Sequence, residues 1–139
     1  MSKILYPVSF VNSPEQVTLK FRFQVNGTSD PDFIVPANCG VTDVTYAATG
    51  VYTVTFDEKF PVFIGGRATV MPATPETAGN VDFLIGIDVA DYSSTAGTLV
   101  MYAVGVDGTT AAEVPEDNSW IYCDLTFCRR SSLAPSGAL

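Results

Sequence analysis

Hydrophobic and polar residues alternate with a period of two over most of the chain. In the segment 17–25, Val17, Leu19, Phe21, Phe23 and Val25 share one face, and Thr18, Lys20, Arg22 and Gln24 share the other. A period of two built from β-branched and aromatic residues specifies an amphipathic strand. Asn26-Gly27 ends it with turn chemistry, and Asp30-Pro31-Asp32 extends the loop. The runs 41–46 and 51–56 repeat the pattern: Tyr52, Val54 and Phe56 fall on one side, Val51, Thr53 and Thr55 on the other. Ala47-Ala48-Thr49-Gly50 joins them, with Gly50 at the permissive turn position, so they read as an antiparallel hairpin.

Four further segments continue the theme. Over 60–71 Phe60, Val62, Ile64, Ala68 and Val70 keep an alternating pattern, and Gly65-Gly66 interrupts it as a bulge or bend. After a Pro-, Thr- and Gly-bearing loop at 72–80, the segment 81–90 sets Val81, Phe83, Ile85, Ile87 and Val89 on one face, opposite Asp82 and Asp88, and 91–96 reads as a turn. The run 98–106 is apolar on both faces, which places it mid-sheet or sets one face against a partner. Asp107-Gly108 is a turn signal, and 113–118 is an acidic loop. The run 120–129 turns Ile121, Cys123, Leu125 and Phe127 to the core, and Trp120 and Tyr122 away from it. No window supports a capped amphipathic helix. The expected fold is all-β, an antiparallel β-sandwich of about seven to eight strands.

That sandwich domain is expected over 17–130. Residues 1–16 read as an extended N-terminal arm: Ile4, Tyr6, Val8 and Phe10 share a face if extended, and Pro7 and Pro14 confine it to an edge strand or a docked peptide. Residues 131–139 read as a flexible or docked C-terminal tail. The first residues lack the apolar run and small-residue cleavage site of a signal peptide, and no stretch approaches the ~20 apolar residues of a membrane span.

Composition then narrows the function. A chain of 139 residues favours one domain, able to bury roughly 68–70% of its unfolded surface. Only 16% of residues are charged, against a usual ~25%. The low charge fits either apolar surface covered by other subunits or a Thr/Ser/Asn-rich β surface. A net charge of −8 offers no basic face for phosphates and disfavours anionic membranes, so neither nucleic acid nor membrane is an expected partner.

Candidate chemistry is sparse. The chain has no histidine, the commonest general base and neutral metal ligand. Its three cysteines, Cys39, Cys123 and Cys128, form no disulfide framework, and Cys123 and Cys128 point to opposite faces of one strand; reduced, buried thiols are the expectation. The neighbouring acids Asp57/Glu58, Asp88/Asp91 and Glu116/Asp117 could serve a glycosidase only if gathered in a cleft with one pKa raised; turn acids more often cap backbone. Asp30, Asp32, Asp88, Asp91 and Asp107 are loop acids that match no EF-hand, and Gly65-Gly66 lacks the Lys-Ser/Thr of a phosphate loop. No enzyme activity, cofactor or metal is expected. Lys20 with Arg22 is an outward stripe, either solvated or a small basic contact for an acidic partner. Trp120 with Tyr122 reads as a second packing layer under a loop, an interface anchor or a sugar-stacking pair.

The stretch Phe23-Gln24-Val25-Asn26-Gly27-Thr28, a proline-bearing loop, then Gly40-Val41 through Tyr52-Thr53-Val54-Thr55-Phe56, and Phe60-Pro61 resembles a recurrent pattern in small β-rich structural proteins of tailed bacteriophages, of the capsid decoration (cement) type. The match covers roughly residues 21–61. The resemblance implies a virion protein made in host cytoplasm that binds the outer surface of a phage head, against the major capsid protein, and stabilises contacts between capsid subunits. It implies a homo-oligomer as well, a trimer being favoured at a threefold junction. The candidate capsid or subunit interface comprises Ile4, Leu5, Tyr6, Val8 and Phe10 of the arm, Val100, Tyr102 and Val104 of the two-faced strand, and Trp120 and Tyr122. The alternative is a head-fibre or tail-associated adhesin module that binds host glycan through Trp120, Tyr122 and nearby loops.

Overall fold

A computed structural model describes residues 15–73, 83–105 and 112–129, with the side chains at 83, 84, 88 and 89 outside that description. Eight strands follow one another: β1 (Gln16–Gln24), β2 (Ile34–Val35), β3 (Val41–Ala48), β4 (Val51–Phe56), β5 (Val62–Met71), β6 (Phe83–Ser93), β7 (Thr98–Gly105) and β8 (Trp120–Cys128). No helix occurs among the described residues. The ladder order is β2-β1-β8-β5-β6-β7-β4-β3, antiparallel throughout. Between β5 and β6 the described register is the single pair Thr69↔Leu84. There the ladder folds over, and two antiparallel sheets, β2-β1-β8-β5 and β6-β7-β4-β3, pack together as a β-sandwich.

The alternating faces dictate this packing. Leu19, Phe21 and Phe23 of β1 and Ile121, Cys123, Leu125 and Phe127 of β8 are buried, as are Tyr52, Val54 and Phe56 of β4 and Leu99, Met101 and Ala103 of β7. Phe127 organises one pole: its ring stacks on Phe60 at 4.6 Å and meets Phe56 at 4.8 Å, Phe63 at 5.3 Å and Tyr92 at 5.4 Å. The Tyr92 hydroxyl donates to the Phe60 carbonyl at 2.6 Å, so this ring keeps its polar end bonded while its body packs. Mid-core, the Cys123 thiol lies 4.0 Å from the Met101 sulfur across the sheets. Burial pushes that thiol's pKa up, so it is an inert packing group. No disulfide joins the three cysteines.

Three expectations needed adjustment. The bulge at Gly65-Gly66 is present as a register shift between Phe63 and Gly65, and it reverses the strand's phase. Phe63 is buried and Ile64 is 48% exposed, the opposite of the inward Ile64 that uninterrupted alternation predicts. Ala68 and Val70 then pack against the core as expected. Strand β6 continues through Asp91 to Ser93, where a turn had been expected, because a bulge between Ile87 and Tyr92 resets its pairing with β7 and turns Tyr92 inward. Strand β2, two residues long, is too short to show a period in the sequence. The arm up to residue 14, the turn at Asp107-Gly108 and the tail 131–139 lie outside the described residues.

Gly50 shows why the hairpin turn is specific. Its φ is +68°, and its carbonyl accepts the Ala103 N–H of β7 at 2.7 Å. A Cβ there would sit 2.6 Å from the Glu113 carbonyl oxygen and 2.9 Å from that of Ala103. At the opposite pole the Arg129 N–H donates to the Glu15 carbonyl at 2.6 Å, so the chain comes into β1 and departs from β8 side by side.

Candidate functional site

The register of β1, β8 and β5 sets the outward residues of this sheet in rows. Gln24, Trp120 and Met71 form one row, Arg22, Tyr122 and Thr69 the next, then Lys20, Asp124 and Arg67, then Thr18, Thr126 and Gly65. Strand β2 adds Val35 opposite Arg22. Phe33 precedes it, its carbonyl accepting the Gln24 N–H at 3.1 Å.

This face differs from ordinary β surface in two ways. The exposed large hydrophobic side chains among the described residues are Phe33 (59% exposed), Ile64, Val35 and Met71. Val35 and Met71 share the outward rows, Phe33 continues β2's outward alternation, and Ile64 lines a groove there. Scattered exposed apolar residues need no explanation, but their gathering on one face does. The second feature is charge. Among the described residues Lys20, Arg22 and Arg67 share the face with one carboxylate, Asp124, in a chain where acids outnumber bases fifteen to seven. The Arg22 guanidinium carbon lies 4.3 Å over the Trp120 ring, a cation–π seat that covers that side of the indole. An open groove of about 310 Å³ runs beside it, lined by Ile64, Gly65, Gly66, Arg67, Asp124 and Thr126. Gly66 is required by the strand itself, since a Cβ would come within 2.5 Å of the Asp124 carbonyl oxygen.

The sequence-derived site residues are divided by the fold. Trp120 and Tyr122 lie on this face, half-buried and beside the Lys20–Arg22 stripe. One face of the Trp120 ring is covered by the Arg22 guanidinium. Val100, Tyr102 and Val104 occupy the outer face of the other sheet, next to Val51 and Thr53, so they belong to a separate surface. Ile4, Leu5, Tyr6, Val8 and Phe10 lie outside the described residues. Phe33, Val35, Ile64, Arg67 and Met71 are site residues that the sequence pattern does not single out. Only Met71 and Arg67 had a usable signal, as positions out of phase with Ala68 and Val70.

The loop acids are used by the chain's own backbone and side chains. Asp30 accepts the Tyr46 N–H at 2.8 Å, Asp32 accepts from the Asn26 amide at 3.1 Å, and Asp117 accepts the Gly27 N–H at 2.9 Å. Asp57 accepts the Thr42 hydroxyl at 2.5 Å, and Glu58 holds Arg129 through two bonds of 2.8 and 3.0 Å. Among the described residues no group of three or more Cys, Asp or Glu side chains is placed to hold a metal ion. Compared with known proteins, the chain matches no family model, no curated protein and no solved structure.

Proposed function

We propose that this protein is a non-enzymatic structural module of a virion: a decoration protein that docks on the outer surface of a tailed-bacteriophage head, against the major capsid protein, and ties neighbouring capsid subunits together. The observation that carries the reading is the outward face of β2-β1-β8-β5, where Phe33, Val35, Ile64 and Met71 are exposed beside Arg22, Arg67, Trp120 and Tyr122. Aromatic residues, Met and Arg are the types enriched at protein–protein interfaces. The resemblance over residues 21–61 to phage decoration proteins is what favours a phage head as the assembly. A shell repeats one epitope many times, so a homo-oligomer, a trimer at a threefold junction, gains avidity from modest single contacts. The uncharged outer side of β7, with Val100, Tyr102 and Val104, is the surface assigned to subunit packing.

The test is addition of the purified protein to phage heads that lack it. Saturable occupancy and delayed heat-induced DNA release are expected, with a trimeric mass in solution. Removal of residues 1–14 is expected to lower occupancy and leave the unfolding midpoint of the β domain unchanged. Absence of binding to heads overturns the reading. Saturable binding on a glycan array, lost in Trp120→Ala, replaces it with the adhesin alternative.

A further inference from the structure

The docking face carries a second level of information, the chemistry of what lies on it. We infer that Lys20, Arg22 and Arg67 form a receptor for carboxylate side chains, and that the occupant of this face is an acidic polypeptide surface. This rests on reading the face as a docking surface, but not on the partner being a phage head.

Among the described residues the only ion pair is Glu58–Arg129; Lys20, Arg22 and Arg67 have none. The chain has acids to spare, yet several are committed to its own backbone, as Asp30 and Asp117 are. Asp124 sits in register between Lys20 and Arg67 without bonding to either. Among the described residues, three cations against one carboxylate leave the face locally positive on a molecule of net charge −8. It is therefore the place where an anionic partner meets attraction.

Geometry selects the kind of anion. A guanidinium seated over an indole keeps its N–H fork at its rim, where one carboxylate can take two parallel bonds. The same seat occupies the Trp120 face that a neutral sugar would need. Lys20 and Arg22 are two residues apart on one strand, about 7 Å, which is also the spacing of alternate side chains in an extended partner strand. Arg67 lies two strands over from Lys20, about 10 Å away. The groove beside Arg67, about 310 Å³ and open, is at the lower limit of ligand sites and accepts a protruding side chain better than a polymer. Exposed Phe33, Val35 and Met71 around the cations give a polypeptide apolar contact that a free anion or polysaccharide cannot use.

The experiment titrates the full chain with poly-L-glutamate at physiological salt, with polygalacturonate and inorganic phosphate in parallel. Amide chemical shifts and the fluorescence of Trp120, the chain's one tryptophan, are followed. Saturable shifts clustered at Lys20, Arg22, Arg67, Trp120 and Tyr122 are expected with poly-L-glutamate. Arg22→Lys keeps the charge but loses the fork, and is expected to weaken binding about tenfold. Lys20→Gln with Arg67→Gln abolishes binding, and Lys59→Gln, an exposed cation in the loop after β4, leaves it unchanged. The inference is overturned by no saturable response, by an equal or stronger response to polygalacturonate or phosphate, by native-like binding in Arg22→Lys, or by an equal loss in Lys59→Gln. Failure here in a chain that still occupies heads removes this inference alone. Poly-L-glutamate binding in a chain that ignores heads removes the capsid assignment alone.

Discussion

Phe23 and Tyr52 meet across the two sheets, ring centroids 5.4 Å apart and planes inclined by 52°, and Tyr46 closes on Tyr52 edge-on at 5.9 Å. This packing seals the Tyr52 side chain, 1% exposed, and its hydroxyl has no hydrogen-bond partner among the described residues. A buried hydroxyl left unbonded is a net cost. Tyr52→Phe keeps the ring and removes that cost, so it is expected to stabilise the fold by about 1 kcal/mol. The measurement is a rise in the urea midpoint at unchanged slope. A drop would mean that the hydroxyl has a partner in solution.

The same burial makes stability fall at high pH. Desolvation, and then the nearby Tyr46, push the Tyr52 pKa from 10.0 to about 12, and burial raises the Cys123 thiol from 9.0. In the unfolded chain these groups ionise near their ordinary values, while in the folded one they stay neutral. The unfolded state therefore binds fewer protons above about pH 9, and stability declines as pH rises from there. Unfolding midpoints measured from pH 7 to 12 are expected to be level up to the ordinary thiol range and then fall. In Tyr52→Phe the part of the fall between about pH 10 and 12 should shrink. An unchanged decline in that variant would assign the effect elsewhere.

Phe127 joins the sheets at the other pole, in contact with Phe56, Phe60, Phe63 and Tyr92. Removing a ring held by partners from several elements leaves a cavity that no one element can close. Phe127→Ala is expected to cost about 3–5 kcal/mol, and Phe127→Leu distinctly less. Denaturant unfolding monitored by Trp120 fluorescence reads both. Equal losses would show that ring stacking, and not volume, holds this pole.

Two glycines with similar backbone angles should respond differently. Gly27 has φ +55° and open space where a Cβ would go, so Gly27→Ala costs conformational strain alone, about 1–2 kcal/mol. Gly50, at φ +68°, adds collisions with the carbonyl oxygens of Glu113 and Ala103. Gly50→Ala is expected to lower the melting temperature clearly more than Gly27→Ala. The reverse order would mean that the 112–119 segment moves aside readily.

The sheets were largely legible because most of the long strands have a dry side and a wet side. β1, the β3–β4 hairpin and β8 follow directly from that alternation. The glycine pair in β5 announced a bulge, but alternation counted straight through it sends Ile64 inward. Only the register with β8 shows that Phe63 takes the buried position. Two residues cannot display a period, so β2 left no trace. The candidate face was legible in fragments: Lys20 and Arg22 as an outward stripe, Trp120 and Tyr122 as outward aromatics. Their adjacency comes from the pairing of Arg22 with Tyr122, a hundred positions away, for which no local signal exists. The same long-range pairing separates Val100, Tyr102 and Val104 from them, onto the far side of the sandwich.

The Arg129 to Glu15 hydrogen bond sets the entry into β1 and the exit from β8 side by side at one pole, away from the row that holds Trp120 and Met71. A few residues could bridge Glu15 to Arg129, so a permuted version of the 15–129 domain with new ends at the turn around Gly97 is a practical scaffold. A segment attached at Glu15 or at Arg129 would leave the sandwich at that shared pole, which suits the β domain to carrying cargo while the row of Trp120 and Met71 stays clear.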